Sequence, residues 1–151
     1  MTITVASDEQ MKEFGARLGA ILRGGEVIEL VGDVGAGKTT FVKGLARGLS
    51  IDEDVQSPTF TINRTYSGRD DIQLVHYDFY RLNDAGIMAD EIREVVTDPK
   101  TVVVVEWSDV VARVLPDDRL RMTIRAISET AREISIEAGG VKSARILEEM
   151  A

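Results

Sequence analysis

Residues 32–39 read Gly-Asp-Val-Gly-Ala-Gly-Lys-Thr, a full match to the pattern G-x-x-x-x-G-K-[ST]. Each residue type there suits one task in gripping a polyphosphate. Glycines let the backbone curl until successive N–H groups converge on phosphate oxygens. Lys38 brings a point charge to the outer phosphates, the Thr39 hydroxyl can ligate Mg²⁺, and Thr40 is placed for an inner phosphate. Gly32, Asp33, Val34, Gly35, Ala36 and Gly37 form the cradle. A helix opening at Lys38 adds positive potential at the same point. The motif therefore reads as a nucleotide-binding loop.

Using the nucleotide takes further groups. Phosphoryl chemistry needs an acid opposite Thr39 to hold Mg²⁺ or its waters. The apolar run "TVVVVEW" at 101–107 ends in Glu106, and in open α/β sheets ligands gather outside the carboxyl ends of strands. Glu106 is thus the candidate second metal-side group. Trp107, the chain's single tryptophan, reads equally as core or as a ring in the site. In "HYDFYR" at 76–81, strand alternation sets His76, Asp78 and Tyr80 on one side and Tyr77 and Phe79 on the other. Asp78 could orient or deprotonate an attacking water, or bind Mg²⁺ through water. Arg81 could meet phosphate charge or hold a carboxylate. The equal alternative is a strand with a polar face on which His76 is merely hydrogen-bonded.

These residues need a scaffold with a strand before the loop and a helix after it. "EVIELV" supplies the strand, and Lys38 to Leu49 the helix, with Phe41, Leu45 and Leu49 on one side. Upstream, "TITV" reads as a short strand. Ser7 and Gln10 have capping-box spacing ahead of a helix through Phe14, Leu18, Ile21 and Leu22 that "RGG" at 23–25 stops. "TFTINRTY" and "IQLVHYDFYRL" flank the turn signal "SGRDD" and predict a hairpin. A helix is expected over 84–97. "TVVVVEW" is apolar throughout, as for a parallel strand covered on both faces. "LRMTIRAI" and "EISIEA" alternate as an antiparallel pair before a C-terminal helix. The sum is an α/β fold with a mixed sheet.

The chain has 151 residues, enough for one domain with a proper core. It lacks cysteine, which excludes disulfides, thiolate metal sites and cysteine nucleophiles. No apolar run is long enough to span a membrane, and no signal peptide is visible, so a cytoplasmic location is expected. A net charge of −8 argues against autonomous nucleic-acid binding. Arg64 and Arg69 are the only hint of a basic cluster in the middle of the chain.

Together "GDVGAGKTTF" at 32–41, "SPTF" at 57–60, "HYDFYRL" at 76–82, "VEW" at 105–107 and the Arg-led strand "REISIE" at 132–137 resemble the TsaE (YjeE) family. This is the P-loop ATPase family of tRNA threonylcarbamoyladenosine biosynthesis, and order and spacing match over nearly the whole chain. The resemblance implies a P-loop NTPase-type mixed β-sheet flanked by helices, closed by a C-terminal antiparallel hairpin, as one domain over 1–151. It implies ATP and Mg²⁺ as cofactors, with Lys38, Thr39 and Thr40 serving them and Glu106 as the second Mg²⁺ ligand. Ser57, Pro58 and Thr59 would form a switch-like loop, and Asp78 would belong to a second switch and to hydrolysis. Trp107 would lie by the site, Arg132 would approach the nucleotide from the closing hairpin, and Asp8 or Glu9 would border the base. The partners implied are TsaD and TsaB, with ATP turnover resetting their complex and tRNA met only through it. The pattern departs from the family at 84–98, where an acidic helix is kept without the expected glycine-containing turn.

Two other readings use the same residues. In a small-molecule kinase Asp78 would be the base for a hydroxyl acceptor, though no arginine-rich lid segment is visible. In a nucleotide-switched binding module, the 57–60 loop and Asp78 would report γ-phosphate loss to a partner.

Overall fold

The computed structural model of the chain describes residues 1–33, 35–57, 62–80, 82–84 and 86–151. Seven strands share one sheet: β1 (Thr2–Val5), β2 (Val27–Val31), β3 (Asn63–Ser67), β4 (Gln73–Asp78), β5 (Thr101–Glu106), β6 (Leu120–Ala126) and β7 (Arg132–Ala138). Their order is β1-β7-β6-β2-β5-β4-β3. The central strands β6, β2, β5 and β4 run parallel. β3 joins β4, β7 joins β6 and β1 joins β7 in antiparallel pairs. The expected mixed α/β sheet with a closing hairpin is what the chain forms.

The sequence of β5 explains its central place. All six of its residues are buried, with Val102 and Val104 in one core and Val103 and Val105 in the other. Helices α1 (Asp8–Ile21), α2 (Lys38–Gly48) and α4 (Val141–Met150) pack on the first face. The second is covered by α3 (Met88–Val95) and a 3₁₀ segment, Ser108–Val114. Tyr77 belongs to this second core, and its hydroxyl donates to Glu91 of α3 at 3.2 Å. Burial first, and then the Glu91 charge, push the phenol well above its ordinary pKa. No helix among the described residues is long and apolar enough to cross a membrane.

The helix that carries Lys38 is set by unusually close packing on α1. A Cβ added at Gly15 would stand 2.6 Å from the Phe41 carbonyl oxygen, and one at Gly44 only 2.3 Å from that of Lys12. Gly19 and Gly48 are equally confined. The spacings "GARLG" at 15–19 and "GLARG" at 44–48 thus let two backbones touch, since interaxial distance is governed by the side chains at the contact. Phe14 and Phe41 close this contact with ring centroids 6.0 Å apart.

Several local expectations change. The helix expected over 84–97 is only Met88–Val95. Gly86 takes a left-handed φ of 54°, and its N–H donates to Asp84 Oδ1, so a glycine-containing turn does precede the helix. Ser7 caps α1 as read, its Oγ accepting from the Gln10 N–H, but Gln10 reaches back to the Ala6 N–H rather than to Ser7 itself. α1 ends before the "RGG" stretch at 23–25. Leu22 is its extended C-cap, and Gly24 and Gly25 adopt positive φ later, in the turn entering β2. The 3₁₀ segment after Trp107 was not expected, because its apolar residues have no clear strand or helix period. Val34, Thr61 and Ala85 lie outside the described residues, as do Pro58, Thr59 and Phe60 of the "SPTF" stretch and Arg81.

Candidate functional site

β2 ends at Val31 and α2 begins at Lys38, so the glycine loop joins a central parallel strand to a helix N-terminus. Gly35 and Gly37 adopt left-handed φ values of 83° and 109°, which glycine does without the Cβ penalty. Gly32 is needed for space instead, since a Cβ there would come within 2.7 Å of the Ile124 carbonyl oxygen on β6. Gly37 offers no side-chain cap, and the first turn of α2 holds no acidic residue. The free N–H groups at this end and the Lys38 ammonium together make a positive locus that an anion would complete.

Lys38 is 6% exposed. Its Nζ donates to the Gly32 carbonyl at 2.6 Å, lies 3.6 Å from Glu106 Oε1, and sits 4.4 Å from the centre of the Trp107 ring. An ammonium over an indole face is attracted by the ring quadrupole. Glu106 is the last residue of β5, and its second oxygen, Oε2, meets His76 Nε2 at 2.5 Å. Asp78, the last residue of β4, is the direct register partner of Glu106. Both carboxylates are buried, at 7% and 3% exposure, and an Asp78 oxygen accepts the Tyr80 N–H at 3.0 Å. The two carboxylates line the same cleft as Thr39, and oxygens of these kinds are the hard donors that Mg²⁺ takes.

These groups open on one cleft of about 600 Å³, the size of a small-molecule site. Gly35, Gly37, Lys38, Thr39 and Thr40 line it from the loop and α2, and Asp78, Tyr80, Glu106 and Trp107 from the strand ends. Ser57 and Arg132 also reach it. Of the pair Asp8 and Glu9, only Asp8 lines the cleft; Glu9 faces Arg47 at 3.5 Å on the surface. His76 is fully buried and lies beneath Glu106 rather than in the wall. Gly32 and Asp33 line a smaller hollow of about 210 Å³ that shares Lys38 and Trp107 with the main cleft. Ala36 is buried.

Three placements refine the sequence reading. Trp107 lines the cleft and also packs against the second core, so the two fates read for it coexist. Its backbone is left-handed, with φ 55°, where the chain turns from β5 into the 3₁₀ segment. Tyr80 is half exposed and tilts over it, ring centroids 4.9 Å apart. Arg132 touches the loop itself: Nε donates to the Ala36 carbonyl at 2.9 Å, and an Nη donates to the carbonyls of Ser128 and Ala131. It ties the closing hairpin to the phosphate loop. Sequence reasoning missed Glu129, which lines the cleft from the β6–β7 turn; only the hairpin's proximity to the loop reveals it.

The comparisons with known proteins identify the family and agree with the fold. The family model described as "Threonylcarbamoyl adenosine biosynthesis protein TsaE" matches residues 5–134. A Streptomyces coelicolor protein named tRNA threonylcarbamoyladenosine biosynthesis protein TsaE is 42% identical over 82% of this chain and 85% of its own. The Bacillus subtilis protein of the same name is 37% identical over 94% of this chain and 88% of its own. The crystal structure of Bacillus subtilis YdiB superposes with a TM-score of 0.82 at 32% identity, covering 99% of this chain and 93% of that one.

Proposed function

The chain belongs to the TsaE family of threonylcarbamoyl adenosine biosynthesis proteins, and from that premise we propose that it is a Mg²⁺-dependent ATPase. In this reading residues 1–151 act as one ATPase domain in the cytoplasm. The domain binds a complex of TsaB and TsaD and resets it during threonylcarbamoylation of A37 in tRNA. The observation that carries the ATPase reading is the placement of Lys38. Its ammonium stands at an uncapped helix N-terminus, facing Glu106 and lining the same cleft as Thr39 and Asp78.

The residues present fit the nucleotide and the metal. The loop N–H groups, the α2 N-terminus and Lys38 hold the phosphates, and Thr40 adds a hydroxyl to an inner one. Thr39 and Glu106 hold Mg²⁺. Held there, the ion would supply positive charge to offset that of the phosphates. Asp78, oriented by the Tyr80 N–H, positions the attacking water. Tyr80 and Trp107 keep one wall of the cleft aromatic, and Arg132 holds the loop in its curled form through Ala36. The switch role falls to Ser57, Pro58 and Thr59, and Arg81 would meet phosphate charge or a carboxylate. An acidic chain that reaches tRNA only through partners accords with the charge of −8.

Calorimetric titration with ADP and a non-hydrolysable ATP analogue, with and without Mg²⁺, tests the site. The wild-type protein should bind both, and Lys38→Ala should weaken binding roughly 10- to 100-fold, the worth of charge-assisted bonds to phosphate. Equal affinity in the two proteins would remove the assignment.

A further inference from the structure

Glu106 is gripped from two sides, and only one of them belongs to the phosphate loop. Lys38 stands at Oε1, while His76, from the neighbouring strand β4, takes Oε2. His76 has no exposed surface and does not line the cleft, so it can reach a ligand only through Glu106. A carboxylate is an acceptor only, so this bond requires the imidazole proton on Nε2. Nδ1 has no hydrogen-bond partner among the described residues. With the proton on Nε2, Nδ1 is a bare lone pair rather than a stranded N–H donor, the less costly state for a buried atom. The ring is fixed in turn by the sheet, since His76 pairs in register with Val104 on one side and Arg64 on the other.

We propose that His76 is a positioning residue whose Nε2–H locks Glu106 Oε2 and so presents Oε1 to Lys38 and the metal side of the cleft. Groups that hold a metal ligand in place commonly change metal affinity or activity by about 10- to 100-fold when altered. The kinetic consequences rest on the cleft being a Mg²⁺–nucleotide site; the hydrogen bond itself does not.

Two substitutions separate positioning from mere filling of space. Glutamine can set an amide N–H₂ near the place of Nε2, whereas the shorter asparagine overlays Nδ1 and cannot reach Glu106. His76→Asn should raise the Mg²⁺ concentration for half-maximal ATP hydrolysis and lower kcat, each about tenfold or more, with the KM for ATP little changed. His76→Gln should recover most of that loss. Equal effects of the two variants, or losses that follow only their melting temperatures, would overturn the proposal.

A readout without nucleotide keeps the two claims apart. His76 is the chain's single histidine, so its ring nitrogens are unambiguous in ¹H–¹⁵N NMR of the free protein. The expected result is an Nε2-protonated ring with a slowly exchanging Hε2, and a clear shift of that signal in Glu106→Gln. An Nδ1-protonated ring, or one indifferent to Glu106→Gln, would refute the positioning role. Absence of nucleotide binding in a protein with the predicted NMR signature would instead refute the ATPase reading and leave the bond established.

Discussion

Two buried glutamates near the C-terminal edge of the sheet sit almost side by side and meet opposite surroundings. Glu106 of β5 pairs in register with Leu30 of β2, and Glu29 precedes Leu30, so alternation sends the two carboxylates to opposite faces. Glu29 borders only the smaller hollow and is held there by its neighbours. Ser108 Oγ donates to it, Arg119 Nε donates at 3.1 Å, and Arg121 stands 3.9 Å away. Burial alone would raise its pKa, but the Ser108 and Arg119 bonds and the two arginine charges outweigh that and leave it lowered. Glu106 has Lys38 and His76, and a second carboxylate, Asp78, beside it. The first glutamate joins β2, β6 and the 3₁₀ segment beside the smaller hollow, whereas the second opens on the main cleft. A buried charge offset by two arginines and a hydroxyl marks architecture; one set beside a like charge on the main cleft marks a place for a ligand.

The sharpest way to break this contrast is to neutralise each glutamate. Glu106→Gln should lower ATP turnover about 100- to 1,000-fold, the scale for losing one preorganised electrostatic group, with little change in melting temperature. Glu29→Ala should do the reverse. It leaves Arg119 without its counter-charge and should cost about 2–4 kcal/mol, below the full buried-pair value of about 3–5 kcal/mol because the Arg119 side chain is 21% exposed. In a chain of this length that is a fall of roughly 5–15 °C by calorimetry, with nucleotide affinity measured on the folded protein largely kept. If the two variants exchanged phenotypes, the division of roles would be wrong.

A third substitution probes the scaffold rather than either charge. Gly44→Ala forces a Cβ to within 2.3 Å of the Lys12 carbonyl oxygen, and overpacking of this kind costs about 1–3 kcal/mol or more. Denaturant titration should show the loss. Lys38 shares its helix with Gly44, so nucleotide affinity should fall with stability.

The acid limb of stability gives a smaller effect with a definite sign. The folded pKa of Glu29 is depressed, so its contribution is present above the ordinary carboxylate pKa and is lost as pH falls through the depressed folded value. Urea unfolding at a series of acidic pH values should therefore show a shallower dependence for Glu29→Gln than for wild type. The smallest effect belongs to the surface pair of Arg125 and Glu133, 2.7 Å apart with the arginine side chain 69% exposed. Arg125→Ala should change stability by no more than about 1 kcal/mol.

Much of this was legible in the sequence, for reasons that differ by region. The loop and its flanking strand and helix were readable because residue types, spacing and local context all pointed to one solution. Glu106 was found because an apolar strand can end on a carboxylate only at its edge. The shortened α3 was not foreseen, because Gly86 and Asp84 form a turn that apolar spacing does not register. The Glu29 network joins residues 79 and 90 positions apart, and nothing local in the chain announces it. The bond of His76 to Glu106 was invisible for a related reason: strand alternation gives a side chain its face but not its partner on the next strand.

The proposed function is ATP turnover in the service of a partner complex. The direct measurement is ATP hydrolysis by the purified protein, alone and with its cognate TsaB–TsaD complex. Slow turnover alone and a clear rise on adding the complex, abolished by Glu106→Gln, is the predicted result. Equal turnover with and without the complex, with phosphate appearing on a small acceptor, would contradict it and identify a kinase instead.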